Sequence, residues 1–150
     1  MVLSATKQGG AIVLTTGSDV QEITDVLYRY ATGIDRRDWP LFRTCFAADC
    51  RLDYGDIGQW NGVEEVTDWM IDAHLAFGHT LHRITNPVVA IDGNTATARC
   101  YVHALLMPQA EETMSVEAFG YYDDELTKAD GAWQIATRRF TMVRFLQSAG

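Results

Sequence analysis

Two residues far apart in the chain have the types that proton transfer needs. Val20, Ile23, Leu27, Tyr30, Ala31 and Ile34 recur at helical spacing in DVQEITDVLYRYATGID, residues 19–35, and make the apolar stripe of a helix that lies on a core. Asp35 follows Ala31 by one turn and Leu27 by two, so it falls on or beside that stripe. A carboxylate turned toward a core is costly unless a donor or an opposite charge meets it there. His82, in HTLHRITN, is the best candidate partner, and the two are expected to meet in an apolar cavity as a general acid/base pair. Neutral imidazole accepts a proton at pH 7, while a carboxylate on its other nitrogen fixes the tautomer and stabilises the imidazolium that forms. Such a pair suits removal of a proton next to a carbonyl. With a hydroxyl β to that carbonyl, the protonated histidine can hand its proton to the leaving oxygen, and the net reaction is loss of water. Without a leaving group, returning the proton elsewhere gives isomerisation. Neither reaction calls for a metal or an organic cofactor. The bland alternatives are a satisfied strand histidine, and an aspartate paired with Arg36 or Arg139. The second is the weaker, because a helix dipole opposes a carboxylate at its C-terminus.

The elements that must position this pair can be read in order. Residues 1–17 mix Gly, Ser, Thr and Lys without a period and are expected to be a flexible segment ahead of a single domain, 18–150. Ser18 or Asp19 suits the N-cap of the first helix, which runs to about Asp35. Asp38 caps a second helix with Pro40 in its first turn and Trp39, Leu41, Phe42, Cys45 and Phe46 on its buried side. Cys50 to Tyr54 reads as a short strand, and GDIGQWNG, 55–62, as a loop. The third helix is expected over Val63 to about Phe77, with Val66, Trp69, Met70, Ala73 and Phe77 on one side, His74 at its surface and Gly78 closing it. From His79 the period changes to two, giving four strands, 79–91, 95–108, 114–128 and 132–146, joined at Asp92-Gly93-Asn94, Pro108 to Thr113 and Asp130-Gly131. Strands this long curl, and Pro87 and Gly120 are places for a bulge or bend. Three helices followed by a curled, mostly antiparallel meander make an α+β domain with a pocket between the layers.

Composition narrows the partners. A net charge of −8 at pH 7 argues against nucleic acid and against anionic membrane surfaces. The three cysteines, Cys45, Cys50 and Cys100, show no C-x-x-C spacing, so neither a disulfide framework nor a zinc site is suggested. AIVL, 11–14, is too short for a signal core, and no apolar run is long enough to span a bilayer, which makes a reducing cytoplasm the default. His79 and His82 sit three apart on a strand and so point to opposite faces, and no dense cluster of metal ligands is evident. Arg138, Arg139 and Arg144 on the last strand read as a solvated or interfacial set.

The segments YRYATGIDRRDWPLFRTCFAADCRLDY, TLHRITNP and DGAWQIATRRF resemble the SnoaL-like, polyketide-cyclase-like family, and more specifically its scytalone dehydratase branch within the nuclear transport factor 2-like superfamily. The resemblance covers nearly the whole chain after residue 18. It implies a cone-shaped α+β fold in which three N-terminal helices pack on a strongly curved sheet and enclose a pocket. Residue by residue, the aspartate that closes the first helix matches Asp35, the tyrosine of the (I/L)DY strand matches Tyr54, and the histidine of TQH matches His82. Related steroid and bile-acid dehydratases carry a tyrosine five residues before the aspartate, the place of Tyr30. The resemblance thus implies that His82 acts as base and then acid, that Asp35 orients it, and that Tyr54 and Tyr30 polarise a carbonyl.

The departures lie on the recognition side. Where the fungal enzymes have a second histidine after a proline, Pro108 is followed by Gln109. Where they have a Ser-x-Asn pair facing the ligand, this chain places Gly120 and Tyr122. Gln109 and Tyr122 are therefore candidate substrate contacts, together with Trp69 and with His103, which either lines the pocket or faces solvent. The resemblance implies a cofactor-independent dehydratase for a small, mainly apolar cyclic compound carrying carbonyl and hydroxyl groups, in a homo-oligomer, dimer or trimer. The alternatives are a ketosteroid-type isomerase or polyketide-cyclase-like enzyme, and a non-catalytic ligand-binding or ring-hydroxylase small-subunit-like module.

Overall fold

Helix α1 (Gly17–Arg36) buries Ile23, Leu27, Tyr30, Ala31 and Ile34 of the stripe anticipated from spacing, and Val26 besides, whereas Val20 at its first turn is 42% exposed. The computed structural model describes residues 4–8, 11–15, 17–110 and 113–148. Ser18, and not a residue before the helix, lies inside the first turn. Helix α1 is closed without a glycine beyond its C-terminal turn. The Asp38 N–H reaches back to the Gly33 carbonyl at 2.8 Å and the Arg37 N–H to that of Ile34 at 3.0 Å, a Schellman closure with Arg37 (φ 57) in the left-handed position usually held by glycine. Gly33 serves a different purpose: a Cβ there would lie 3.0–3.1 Å from the backbone of Phe42. Its absence lets α1 touch α2 (Trp39–Arg43), whose N-cap is Asp38, accepting the Leu41 N–H at 3.0 Å.

Strands β1 (Ser4–Gln8) and β2 (Ala11–Thr15) form a separate antiparallel hairpin. The expectation of a flexible segment over 1–17 falls partly on residues outside those described. Where the sequence showed no period, the β-branched residues of AIVLT suffice for a strand. β3 (Phe46–Asp53) starts earlier than expected. Phe46 is buried, but as the first inward residue of a strand rather than on a helix, and Cys50 and Leu52 follow it inward. The loop at 55–62 holds a 3-10 turn (Gly55–Ile57) and the short β4 (Gln59–Asn61), paired with β3. Helix α3 (Val63–His74) stops before Phe77, which begins β5 (Phe77–Asp92), so Gly78 lies within a strand. β6 (Thr95–Pro108), β7 (Ser115–Ala129) and β8 (Ala132–Ser148) fall close to the positions read from alternation.

The main sheet has the order β4-β3-β8-β7-β6-β5, with β3 and β8 parallel and the other neighbours antiparallel. Its register shifts between Thr85 and Val88, around Pro87, and between Phe119 and Gly120, as expected for places where a long strand bends. At Gly120 a Cβ would collide with the Thr141 carbonyl oxygen and the Phe140 ring, so only glycine permits β8 to pass so close. The inward row of β6, Ala96, Ala98, Cys100, Val102 and Ala104, is small and buried, which lets the helices settle into the concave face. Asp19 of α1 accepts hydrogen bonds from Lys128 Nζ at 2.7 Å and Trp133 Nε1 at 2.9 Å, fixing one end of the helix to the β7–β8 turn. The other end runs to the head of β5. This is the α+β cone that the resemblance implied. No helix among the described residues is long and apolar enough to cross a membrane.

Candidate active site

The last turn of α1 and the first residues of β5 bring Asp35 and His82 together. His82 Nδ1 lies 2.7 Å from Asp35 Oδ1, and the His82 backbone N–H donates to Oδ2 at 2.8 Å. An ionised carboxylate only accepts, so Nδ1 carries the hydrogen and Nε2 keeps its lone pair. Thr80 donates its hydroxyl to the same Oδ1 at 3.0 Å and accepts from Arg37 Nη1 at 2.8 Å. Burial pushes the Asp35 carboxyl up, but hydrogen bonds from the His82 ring and backbone and from Thr80 outweigh it and hold the group below its ordinary value. Arg37 also donates to the carbonyls of Ile34 at 2.7 Å and Gly78 at 3.0 Å. Its left-handed backbone is what turns the guanidinium back across the junction.

Behind this pair lies a largely apolar cavity of about 120 Å³, with Tyr30, Tyr54, Trp69, His74, His82 and Tyr122 in its wall. The Tyr30 hydroxyl shares hydrogen bonds with those of Tyr54 at 2.9 Å and Tyr122 at 3.2 Å. Burial raises all three phenols well above their ordinary values, so they are neutral donors. Arg138 underlies them. Its guanidinium stacks on the rings of Tyr30 at 4.2 Å and Tyr122 at 4.0 Å and makes a bidentate pair with Asp124, both contacts at 2.7 Å. Burial favours loss of its proton, but Asp124 outweighs that and keeps the group charged. Nη1 of Arg138 is buried and makes no further hydrogen bond within 3.5 Å among the described residues. A wider, open groove of about 670 Å³ runs past Arg51, Asp53, Arg99 and Asp123. Its charges largely answer one another, Arg99 with Asp123 at 2.6 Å, and it contains neither histidine of the cavity.

The structure gathers Asp35, His82, Tyr54, Tyr30, Tyr122 and Trp69 at one site and leaves two expected residues out. His103 does not line the cavity. On β6 the inward residues are Val102, Ala104 and Leu106, and His103 points the other way. There it stacks on Phe119 at 4.3 Å and bonds Glu117 at 2.6 Å and Arg83 at 3.0 Å. Gln109 is exposed beyond the end of β6, where its backbone N–H meets the Ala76 carbonyl. Two further expectations reverse. Arg138 is fully buried rather than solvated, because a carboxylate faces it on the neighbouring strand, while Arg139 and Arg144 are exposed. His74 is 8% exposed and belongs to the cavity wall rather than to the surface. Its Nδ1–H donates to the Met70 carbonyl at 2.8 Å, and burial pushes the imidazole down to about 4. The spacing Val66–Met70–His74 carried that signal.

Among the described residues no group of three or more His, Cys, Asp and Glu side chains is placed to hold a metal ion. The three cysteines are buried, free thiols.

The SnoaL-like domain pattern matches residues 16–139. The chain belongs to the SnoaL-like family. An uncharacterized protein of Mycobacterium tuberculosis is 25% identical over 122 residues, covering 81% of this chain and 83% of its own. Among solved structures, a Novosphingobium aromaticivorans protein named for scytalone dehydratase superposes with a TM-score of 0.81 at 19% identity, covering 89% of each chain. The hexachlorocyclohexane dehydrochlorinase LinA-type3 of Novosphingobium barchaimii gives 0.79 at 19% identity, over 89% of this chain and 92% of its own. Likeness at such identity is a statement about fold, and the SnoaL-like chain described here shares the cone of both.

Proposed function

We propose that this SnoaL-like protein is a cofactor-independent dehydratase for a small cyclic hydroxy-carbonyl compound. The observation that carries the reading is the Asp35–His82 pair, which leaves Nε2 of a cavity-lining histidine unprotonated. In the proposed reaction Nε2 takes the proton from the carbon next to the carbonyl. The electrons of that bond form an enolate, whose oxygen accepts a hydrogen bond from Tyr54, itself hydrogen-bonded to Tyr30. The enolate collapses to a carbon–carbon double bond as the β carbon–oxygen bond breaks, and the His82 imidazolium returns its proton to the departing oxygen as water. One nitrogen takes and gives the proton, so both groups leave from one face of the ring. Asp35 keeps the imidazole oriented throughout.

Cavity size supports a small substrate. About 120 Å³ is close to the roughly 150 Å³ that accepts benzene in an engineered core, which suits a single ring. The names of two structural neighbours, a dehydratase and a dehydrochlorinase, fit the same reaction class, an elimination that starts by removing a proton from carbon. A homo-oligomer, dimer or trimer, belongs to the proposal, since Leu81, Val88 and Tyr101 lie exposed on the outer face of β5 and β6; light scattering reads it.

The test is mass spectrometry of wild type and Asp35→Asn with a panel of single-ring β-hydroxyketones and β,γ-unsaturated ketones. Loss of one water with wild type alone is the expected result. Unchanged mass with a moved double bond favours isomerisation, and equal products from both proteins overturn the role of Asp35.

A further inference from the structure

Helix α3 delivers a second imidazole to the cavity that the acid/base pair does not use. We infer that His74 Nε2 is the hydrogen-bond acceptor for a substrate hydroxyl that stays on the ring, which makes His74 a specificity-determining residue beside His82. The inference rests on the proposed function for the identity of the leaving hydroxyl, and on geometry for the rest. The Met70 carbonyl can only accept, so the 2.8 Å contact places the ring hydrogen on Nδ1 and leaves the lone pair on Nε2. Nε2 makes no hydrogen bond to a described residue. The ring is held edge-on by Trp39 at 6.2 Å and Phe77 at 6.1 Å, so it cannot turn without losing both contacts and the helix-end bond.

The cavity is therefore polar in two opposite senses. Its strand register tells them apart: His82 pairs with Ala104 and Tyr122 with Cys100, farther along β6. At the Tyr122 end the neutral phenols of Tyr30, Tyr54 and Tyr122 share two hydrogen bonds among three hydroxyls, which leaves one hydroxyl hydrogen to donate. At the other end two imidazoles, their centroids 6.2 Å apart, both present acceptors. His82 must shuttle its proton, whereas His74, its basicity lowered by burial, stays neutral at pH 7 and cannot supply one to a leaving group. The hydroxyl that His74 binds is thus a spectator. The substrate class becomes a single ring with a carbonyl at the phenol end and two hydroxyls at the histidine end, one that leaves and one that remains. The exposed Gln109 supplies no such contact.

Phenol and anisole, which share a ring and differ in having a hydroxyl to donate, are the probes. In wild type with ¹⁵N-labelled histidine, phenol titrated to its solubility limit is expected to move the His74 Nε2 resonance in the direction of a bonded acceptor, and anisole is expected to leave it in place. Phenol is expected to bind about tenfold more tightly than anisole, the scale of one hydrogen bond to a buried partner. His74→Phe is expected to bring the two within about twofold while anisole binding is kept. A phenol preference that survives in His74→Phe, or an unmoved His74 resonance in wild type, overturns the inference. Neither measurement needs turnover, so a chain that discriminates the probes yet yields no dehydrated product loses the dehydratase reading and keeps this one.

Discussion

Asp35 grips His82 at two points: one carboxylate oxygen meets the ring nitrogen at 2.7 Å and the other meets the backbone N–H at 2.8 Å. The second contact fixes the strand, so the imidazole cannot drift from the carboxylate without a backbone movement. Side-chain orientation and main-chain position are set by one group.

Replacing Asp35 with Asn tests that arrangement. An amide still accepts from the backbone through its oxygen, but its NH₂ faces Nδ1 and forces the hydrogen to Nε2, the wrong nitrogen for a base. We expect kcat to fall about 10²-fold or more, KM to change little, and the far-UV circular dichroism spectrum to match that of wild type. Full activity in a folded Asp35→Asn protein removes the pair from the mechanism.

The phenols are separable from the base. In the proposed reaction Tyr54→Phe deletes a donor to the enolate oxygen, and loss of one such donor typically costs about 10²-fold in kcat. Tyr54 is buried against Trp60 and Phe140, and its bond to Tyr30 is one of two that Tyr30 makes, so folding is expected to survive. Single-turnover kinetics should show a slower chemical step with the shape of the wild-type pH profile retained.

His74 predicts a dependence of stability on pH. Its folded-state value of about 4 lies below the roughly 6.5 of an exposed imidazole, so between these limits the unfolded chain binds the proton and the folded one does not. Stability from the buried neutral ring is complete above pH 6.5 and is lost as pH falls toward 4. Between pH 7 and pH 5 the loss is roughly 2 kcal/mol. Urea unfolding of wild type and His74→Phe at the two pH values should show a decline shallower by about that amount in the variant. Asp35, with its value lowered, contributes in the same sense but at lower pH, from about 4 downward.

Asp124 and Arg138 form the pair whose halves cannot be removed singly. Their side chains are 1% and 0% exposed, so Asp124→Ala leaves an uncompensated guanidinium in the core and is expected to cost about 3–5 kcal/mol, whereas joint replacement by Leu and Met recovers most of it. If the single variant unfolds at the wild-type urea concentration, the pair is not closed in solution.

The contact between Asp35 and His82 was open to sequence reading because Asp35 sits on a 3.6-residue stripe and His82 in a period-two strand, and both periods hold in the structure. The recognition half was less legible. His103 was ambiguous by one residue of strand parity, and the parity of Val102 and Ala104 sends it outward. Arg138 looked solvated because TRRF offers no sign of the aspartate across the β7–β8 hairpin, and only the pairing of Asp124 with Arg138 makes burial of both affordable. His74 hid behind its polarity, although it continues the Val66–Met70 row by one more turn. Helix α1 ended where a glycine was missing because Arg37, through its own guanidinium bonds, supports the left-handed turn.

The strand order also bears on how the protein is made. β8 leaves the ribosome after every other strand of the sheet, yet it is the strand that joins β3 to β7. Until it inserts, β3 and β4 have no edge to pair with in the meander, and Tyr54 and Trp60 stand apart from Tyr122. A nascent chain can complete the β5–β6–β7 meander, with each hairpin closing locally, but the cavity has only half its wall. Assembly of the site therefore waits for β8, with a long-range parallel pairing as its final step, a slow kind of closure. Translation that stops short of Ala132 yields a sheet with an open edge on β7, and a chain more prone to join its neighbours than to bind a ligand.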